Sequence, residues 1–159
     1  MPRRSILSAV ERESLLAFPD SNDEMIRHYT LSEADLSLIR QRRGDANRLG
    51  FAVQLCLLRH PGQGLLPESS VPVVLLHWVG RQLRTDPMCW SQYAEREETR
   101  REHLLELRAY LCVEPFGLAH YKQAVHATTE LAMQSDQGVV LAANLLDALR
   151  HQRIIIPTL

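Results

Sequence analysis

The sequence predicts an all-α protein, a small multi-helix bundle, on three observations. Apolar residues recur at helical spacing in almost every segment between breakers. Helix-start residues stand where such segments open, as in Ser8-x-x-Glu11. The single β-branched run, 154–156, has no second such stretch to pair with.

Taken in order, the Ser8 and Glu11 capping pattern opens a short helix that runs to Phe18 and is stopped by Pro19. Thr30 with Glu33, and Ser32, cap a second helix through Arg43, with Leu36 and Ile39 on one side and Gly44 at its end. The third, over 45–59, carries Leu49, Ala52, Val53, Cys56 and Leu57 on one face and Phe51, Leu55 and Leu58 on another. A helix apolar nearly all round belongs at the centre of a domain, with only a narrow polar stripe through Asn47 and Gln54 for solvent or partner.

Three prolines, two glycines and two serines make 61–72 an irregular connection, and Pro72 suits the first turn of a helix over 72–84. Asp86 and Pro87 break it. A short segment over 90–94 leads to a charged helix over 97–112 with Leu104, Leu107 and Leu111 inward. After a turn at 114–117, a helix over 118–134 sets Tyr121, Ala124, Val125, Thr128, Leu131 and Ala132 on one face. A last helix covers 137–151 with Leu141, Leu145, Ala148 and Leu149.

Two pairs of helices with tight turns are helix-turn-helix-like, one around Gly44 and one around Gly117. An ordinary α-hairpin is the alternative for each. The chain divides into an N-terminal helical subdomain, 1–62, a Pro-rich connection with a bridging helix, 63–94, and a second helical subdomain, 95–159. The two helical groups form either two subdomains or one bundle.

Several function classes are excluded or weakened. No apolar stretch approaches the roughly 20 residues that a bilayer needs, so no membrane span is expected. The basic start Met-Pro-Arg-Arg-Ser leads into a mixed segment rather than a secretion core, which points to the cytoplasm. Cys56, Cys89 and Cys112 are odd in number and widely spaced, which predicts buried thiols and no disulfide framework. No G-x-S-x-G, G-x-x-x-x-G-K, H-E-x-x-H or dinucleotide glycine pattern occurs. Glu98, Glu102 and Glu106 share a helix face, but the arginines interleaved with them predict a salt-bridged surface rather than a metal site. Cys56 and His60 are four apart and supply only two metal ligands. No cofactor or metal is expected.

Net charge is −1, so the molecule as a whole does not attract nucleic acid. Local charge says more. All but one of the 18 basic residues are arginine, which suits bidentate contacts to phosphate or carboxylate. Arg40, Arg42, Arg43 and Arg48, with Asn47, flank the first turn and predict phosphate-type contacts, a solvated basic helix end being the alternative. His120, Tyr121, Lys122 and Gln123 open the helix after Gly117, with Arg100 and Arg101 upstream, and can reach base edges or phosphates from a helix N-terminus.

The residues also carry a resemblance. It lies in the N-terminal Met-Pro-Arg-Arg-Ser-Ile-Leu-Ser with Glu11-Arg-Glu, the run from Arg42-Arg-Gly-Asp-Ala-Asn-Arg-Leu to His60-Pro-Gly62, Arg100-Arg-Glu-His-Leu, and Leu149-Arg-His-Gln-Arg-Ile-Ile-Ile-Pro157. In these motifs the chain resembles the N-terminal region of the Tn-three family (class II) replicative transposases. The resemblance implies a helical region that binds the terminal inverted repeats of a transposon. A distant RNase H-like domain would hold the catalytic carboxylates. Since the chain ends at Leu159, no catalytic acid and no Mg²⁺ site are carried over.

The expectation is therefore a DNA-binding fragment, not an enzyme, whose partner is double-stranded DNA at transposon ends. The DNA-binding candidates that the resemblance supports are Arg40, Arg42, Arg43, Asn47, Arg48, Arg100, Arg101, His120, Tyr121, Lys122 and Gln123. A second reading is a truncated regulator or remnant that competes or pairs with full-length transposase, or self-associates. A small enzyme with a spatially assembled site is the third.

Overall fold

The computed structural model describes residues 6–65 and 70–157. The basic start 1–5, Pro67 and Leu159 lie outside them. Within the described residues the helices are α1 (Ala9–Leu15), α2 (Asn22–Tyr29), α3 (Glu33–Arg40), α4 (Asp45–Arg59), α5 (Val73–Leu83), α6 (Trp90–Ala94), α7 (Glu97–Leu111), α8 (Leu118–Ala132) and α9 (Gly138–His151). A single 3-10 turn, Pro87–Cys89, precedes α6. The class is all-α, and none of these helices is long and apolar enough to cross a membrane.

Helix starts follow the side-chain chemistry read from the sequence. Ser8 caps α1, accepting from the Glu11 N–H while Glu11 Oε2 accepts from the Ser8 N–H at 2.7 Å. Ser32 and Asp35 do the same for α3. The Thr30 hydroxyl does not cap α3; it donates to the Ile26 carbonyl at 2.6 Å, closing the helix before it. That helix, α2, is absent from the sequence reading, although Ser21 caps it through the Glu24 N–H.

The chain forms two compact units, Phe18–Cys112 and Met1–Ala17 with Val113–Leu159. In the first, α4 is the axis. Every residue from Leu49 to Leu58 is buried, and α2, α3, α5, α6 and α7 pack around it. Its all-round apolar surface demands that surround. Gln54, expected on a solvent stripe, is only 1% exposed, because α6 and α7 cover that side and supply its hydrogen bonds. Gly50 lets the Tyr93 ring lie directly on the α4 backbone, where any Cβ would overlap ring carbons.

In the second unit Leu146, Leu149, Ile154 and Ile156 form the core, with Leu15, Leu16, Phe116 and Leu145 packed against it. The isoleucine run does find a partner. The Glu114 N–H donates to the Arg153 carbonyl at 2.9 Å and the Ile155 N–H to the Glu114 carbonyl at 2.8 Å, a single parallel bridge. Helix α8 buries no residue fully. In the first unit α7 packs on α4 and α6, and in the second α8 packs on α9.

Candidate nucleic-acid interface

The first helix pair builds a basic cleft. Arg40 ends α3, the turn at 41–44 passes through Gly44 at φ 87°, and Arg48 follows one turn into α4. From α5 comes Arg84, the C-cap, in left-handed backbone at φ 55°. Arg40, Arg48 and Arg84 stand around a floor of Leu36, Ile39 and Leu83 in a cleft of ≈ 480 Å³. Among the described residues no acid lines it.

Gln82 holds the α5 wall, accepting from the Leu31 N–H at 2.9 Å and donating to the Tyr29 carbonyl at 2.8 Å. Arg48 Nε donates to the Arg42 carbonyl at 3.0 Å, and its guanidinium is 3.9 Å from Asp45, a loose approach. Arg40 and Arg84 make no ion pair among the described residues. The cleft therefore concentrates positive charge on a chain of net charge −1. Sequence reasoning missed Arg84. Its signal was the basic end of the 72–84 helix, where Arg81 and Arg84 stand one turn apart.

The other predicted residues of this region divide by role. Arg43 is exposed. Arg42 faces inward with its side chain only 15% exposed, Nη1 within 2.7 Å of both Glu106 oxygens and the guanidinium 4.8 Å above the Phe51 ring. Asn47 is half-buried, its amide donating to the Arg43 carbonyl at 2.9 Å. Arg100 is partly buried, and its carbonyl accepts from Gln54. Arg101 is exposed and paired with Glu97 one turn earlier. Both border a smaller cleft of ≈ 200 Å³.

In the other unit, α8 begins with the remaining four candidates. His120 works as a cap, Nδ1 accepting from the Gly117 N–H at 3.0 Å with Nε2 3.8 Å from Glu114. Tyr121 is 57% exposed on the wall of an apolar groove shared with Phe116, Val125, Leu141 and Leu145. Lys122 and Gln123 are exposed. The two helices around Gly117 belong to different compact units.

Two buried polar networks stiffen the first unit. Asp35, fully buried, receives two bonds of 2.7 Å from Arg59 and one of 2.8 Å from the Tyr110 hydroxyl. Burial alone would push its carboxyl up. Hydrogen bonds from Arg59, the Ser32 N–H and Tyr110 outweigh that and hold it well below the usual carboxylate range. In the second network Gln54 Nε2 donates to the Tyr93 hydroxyl at 2.6 Å and to the Arg100 carbonyl at 3.0 Å. The Tyr93 hydroxyl is also within hydrogen-bond distance of His103 Nδ1, 3.0 Å away. Burial, then the Arg42 charge, lowers the His103 pKa against the opposing pull of Glu106.

Burial pushes the Cys56 thiol up to about 12, so it behaves as a small apolar core residue. Cys89 and Cys112 depart from the expectation of buried thiols: Cys89 is half-buried in the 3-10 turn, and Cys112 is exposed where α7 ends in left-handed backbone. Among the described residues no three His, Cys, Asp or Glu side chains gather to hold a metal. Glu106 is taken up by Arg42.

The chain matches the family described as "Domain of unknown function (DUF4158)" over residues 6–159. It is 57% identical over 159 residues to the transposase for transposon Tn501 of Pseudomonas aeruginosa. To the transposases for transposons Tn3926 and Tn21 of Escherichia coli it is 59% and 57% identical over the same length. Each comparison covers 100% of this chain and 16% of the relative.

Proposed function

The chain belongs to the DUF4158 family and is alike over its whole length to part of the Tn-three family transposases, and from that premise we propose that it binds duplex DNA at transposon ends. One observation carries the reading: the cleft of Arg40, Arg48 and Arg84, with no acid among the described residues that line it. Guanidinium groups on a rigid frame suit phosphate oxygens, which fix register without reading sequence. Lys122 and Gln123, exposed near the start of α8, supply the contacts that reach base edges. The terminal inverted repeats are the proposed target, and the chain's part is recognition rather than strand transfer.

The test is a fluorescence-anisotropy titration of this chain against its transposon end and a scrambled duplex, across a salt series. Arg40→Ala combined with Arg84→Ala should weaken binding to both duplexes and reduce the salt slope by about 2, one for each phosphate contact removed. Binding and slope unchanged in that variant would overturn the assignment of the cleft. Absence of binding to either duplex at low salt would overturn the DNA reading itself.

A further inference from the structure

Arg42 and Glu106 form an ion pair between the turn that opens α4 and the middle of α7, Nη1 reaching both carboxylate oxygens, and the Arg42 carbonyl accepts from Arg48 Nε at 3.0 Å. Arg48 in turn lines the basic cleft. A continuous path thus runs from an acid on α7 to a cationic wall of the proposed DNA site, through one backbone carbonyl.

Two bonds already hold the turn, the Arg42 N–H donating to the Ile39 carbonyl at 2.9 Å and the Asn47 amide to the Arg43 carbonyl at 2.9 Å. Gly44, with no side chain, gives α4 no side-chain cap, and Gln41 and Arg43 are exposed. The side chain of residue 42 adds to these bonds, its guanidinium 4.8 Å from the Phe51 ring centre and paired with Glu106. Phe51 is fully buried, and Glu106, its side chain 46% exposed, sits on a helix packed against α4. A carbonyl held in this way directs the Arg48 guanidinium, which would otherwise sample many rotamers at an entropic cost on binding phosphate.

We propose that Glu106 and Arg42 are positioning residues for DNA: the pair orients Arg48 toward phosphate and does not itself touch the duplex. The proposal rests on the DNA reading above. It makes a prediction opposite in sign to simple electrostatics, because Glu106 is an acid near a polyanion's site and its removal alone would strengthen binding.

The test is a double-mutant cycle on the whole 159-residue chain with end duplex. Glu106→Ala should weaken binding about threefold to tenfold, and should change it less than about twofold when Arg48 is already alanine. Tighter binding by Glu106→Ala, or an equal loss in both backgrounds, overturns the proposal.

A second readout needs no DNA. In NMR spectra the Arg48 Nε–H, bonded to the Arg42 carbonyl, should exchange slowly with water in the parent chain and fast in Glu106→Ala; slow exchange in both overturns the proposal. Unchanged binding in the Arg40→Ala, Arg84→Ala variant together with loss of Arg48 protection in Glu106→Ala would separate the two ideas, removing the DNA role of the cleft while keeping the positioning.

Discussion

Arg59 grips Asp35 with two parallel hydrogen bonds of 2.7 Å, and the carboxylate it holds is completely buried between α3 and α4. That grip ties the helix bearing Arg40 to the central helix. Asp35→Ala leaves the Arg59 guanidinium, the Tyr110 hydroxyl and the Ser32 N–H without their acceptor. Breaking such a pair should cost about 3 kcal/mol, at the low end of the range for buried pairs because Arg59 and Tyr110 can turn to water. Urea denaturation of parent and variant measures it.

The same carboxylate sets an acid limit. Its folded pKa lies below the ordinary value, so its contribution is whole above about pH 4 and is lost as the pH falls further. Melting temperature followed from pH 6 to pH 2.5 should fall more steeply for the parent chain than for Asp35→Ala. Parallel curves would remove Asp35 from the account of acid denaturation.

Gly50→Ala pits two effects of known size against each other. Alanine favours a helix over glycine by about 1 kcal/mol. The added methyl, however, meets the Tyr93 ring at Cγ and both Cδ atoms, and that ring is fully buried and hydrogen-bonded at its far end to Gln54 and His103. Overpacking of that kind costs about 3 kcal/mol or more, so the net change is destabilising. Thermal unfolding followed by circular dichroism gives the sign directly, and a stabilised Gly50→Ala would show that α6 can move off α4.

Much of this fold was legible because local chemistry and burial agree. Helix α4 was bounded at 45 and 59 from its periodicity alone, and the structure places it at Asp45–Arg59. Helix α2 escaped because only Met25 and Tyr29 are buried in it, too few to set a period, and the Ser21 cap lies inside an acidic cluster that reads as loop. The cleft was half legible. Arg40 and Arg48 stood near each other in the sequence, whereas Arg84 joins them across 36 residues through the packing of α5 on α4. That Arg42 turns inward depends on Glu106, 64 residues away, and no local pattern shows such a pairing.

His103 gives the chain a second, milder pH dependence. Its pKa is lowered in the folded state, chiefly by burial, so the unfolded chain binds the proton more readily. Stability from this group is therefore present above about pH 6.5 and lost as the pH falls through the folded value. In the protonated ring both nitrogens are donors, so Nδ1 then donates toward the Tyr93 hydroxyl. Between pH 7.5 and 5 the parent should lose more stability than His103→Gln, measured by urea midpoint. An equal loss would place the sensitivity elsewhere.

The proposed division between phosphate and base contacts separates two exposed residues, Arg43 and Gln123, that carry no ion pair among the described residues. A guanidinium on phosphate supplies affinity that any duplex can use, so Arg43→Ala should weaken end and scrambled DNA equally and lower the salt slope by about 1. An amide carries no charge and releases no counterion. Its value lies in paired bonds to one base edge, worth about 1–3 kcal/mol of discrimination. Gln123→Ala should accordingly weaken the end duplex alone, bring the two affinities together and leave the salt slope unchanged. Anisotropy titrations of both variants on both duplexes read all three quantities, and a uniform loss in Gln123→Ala would move α8 from reading bases to positioning on the backbone.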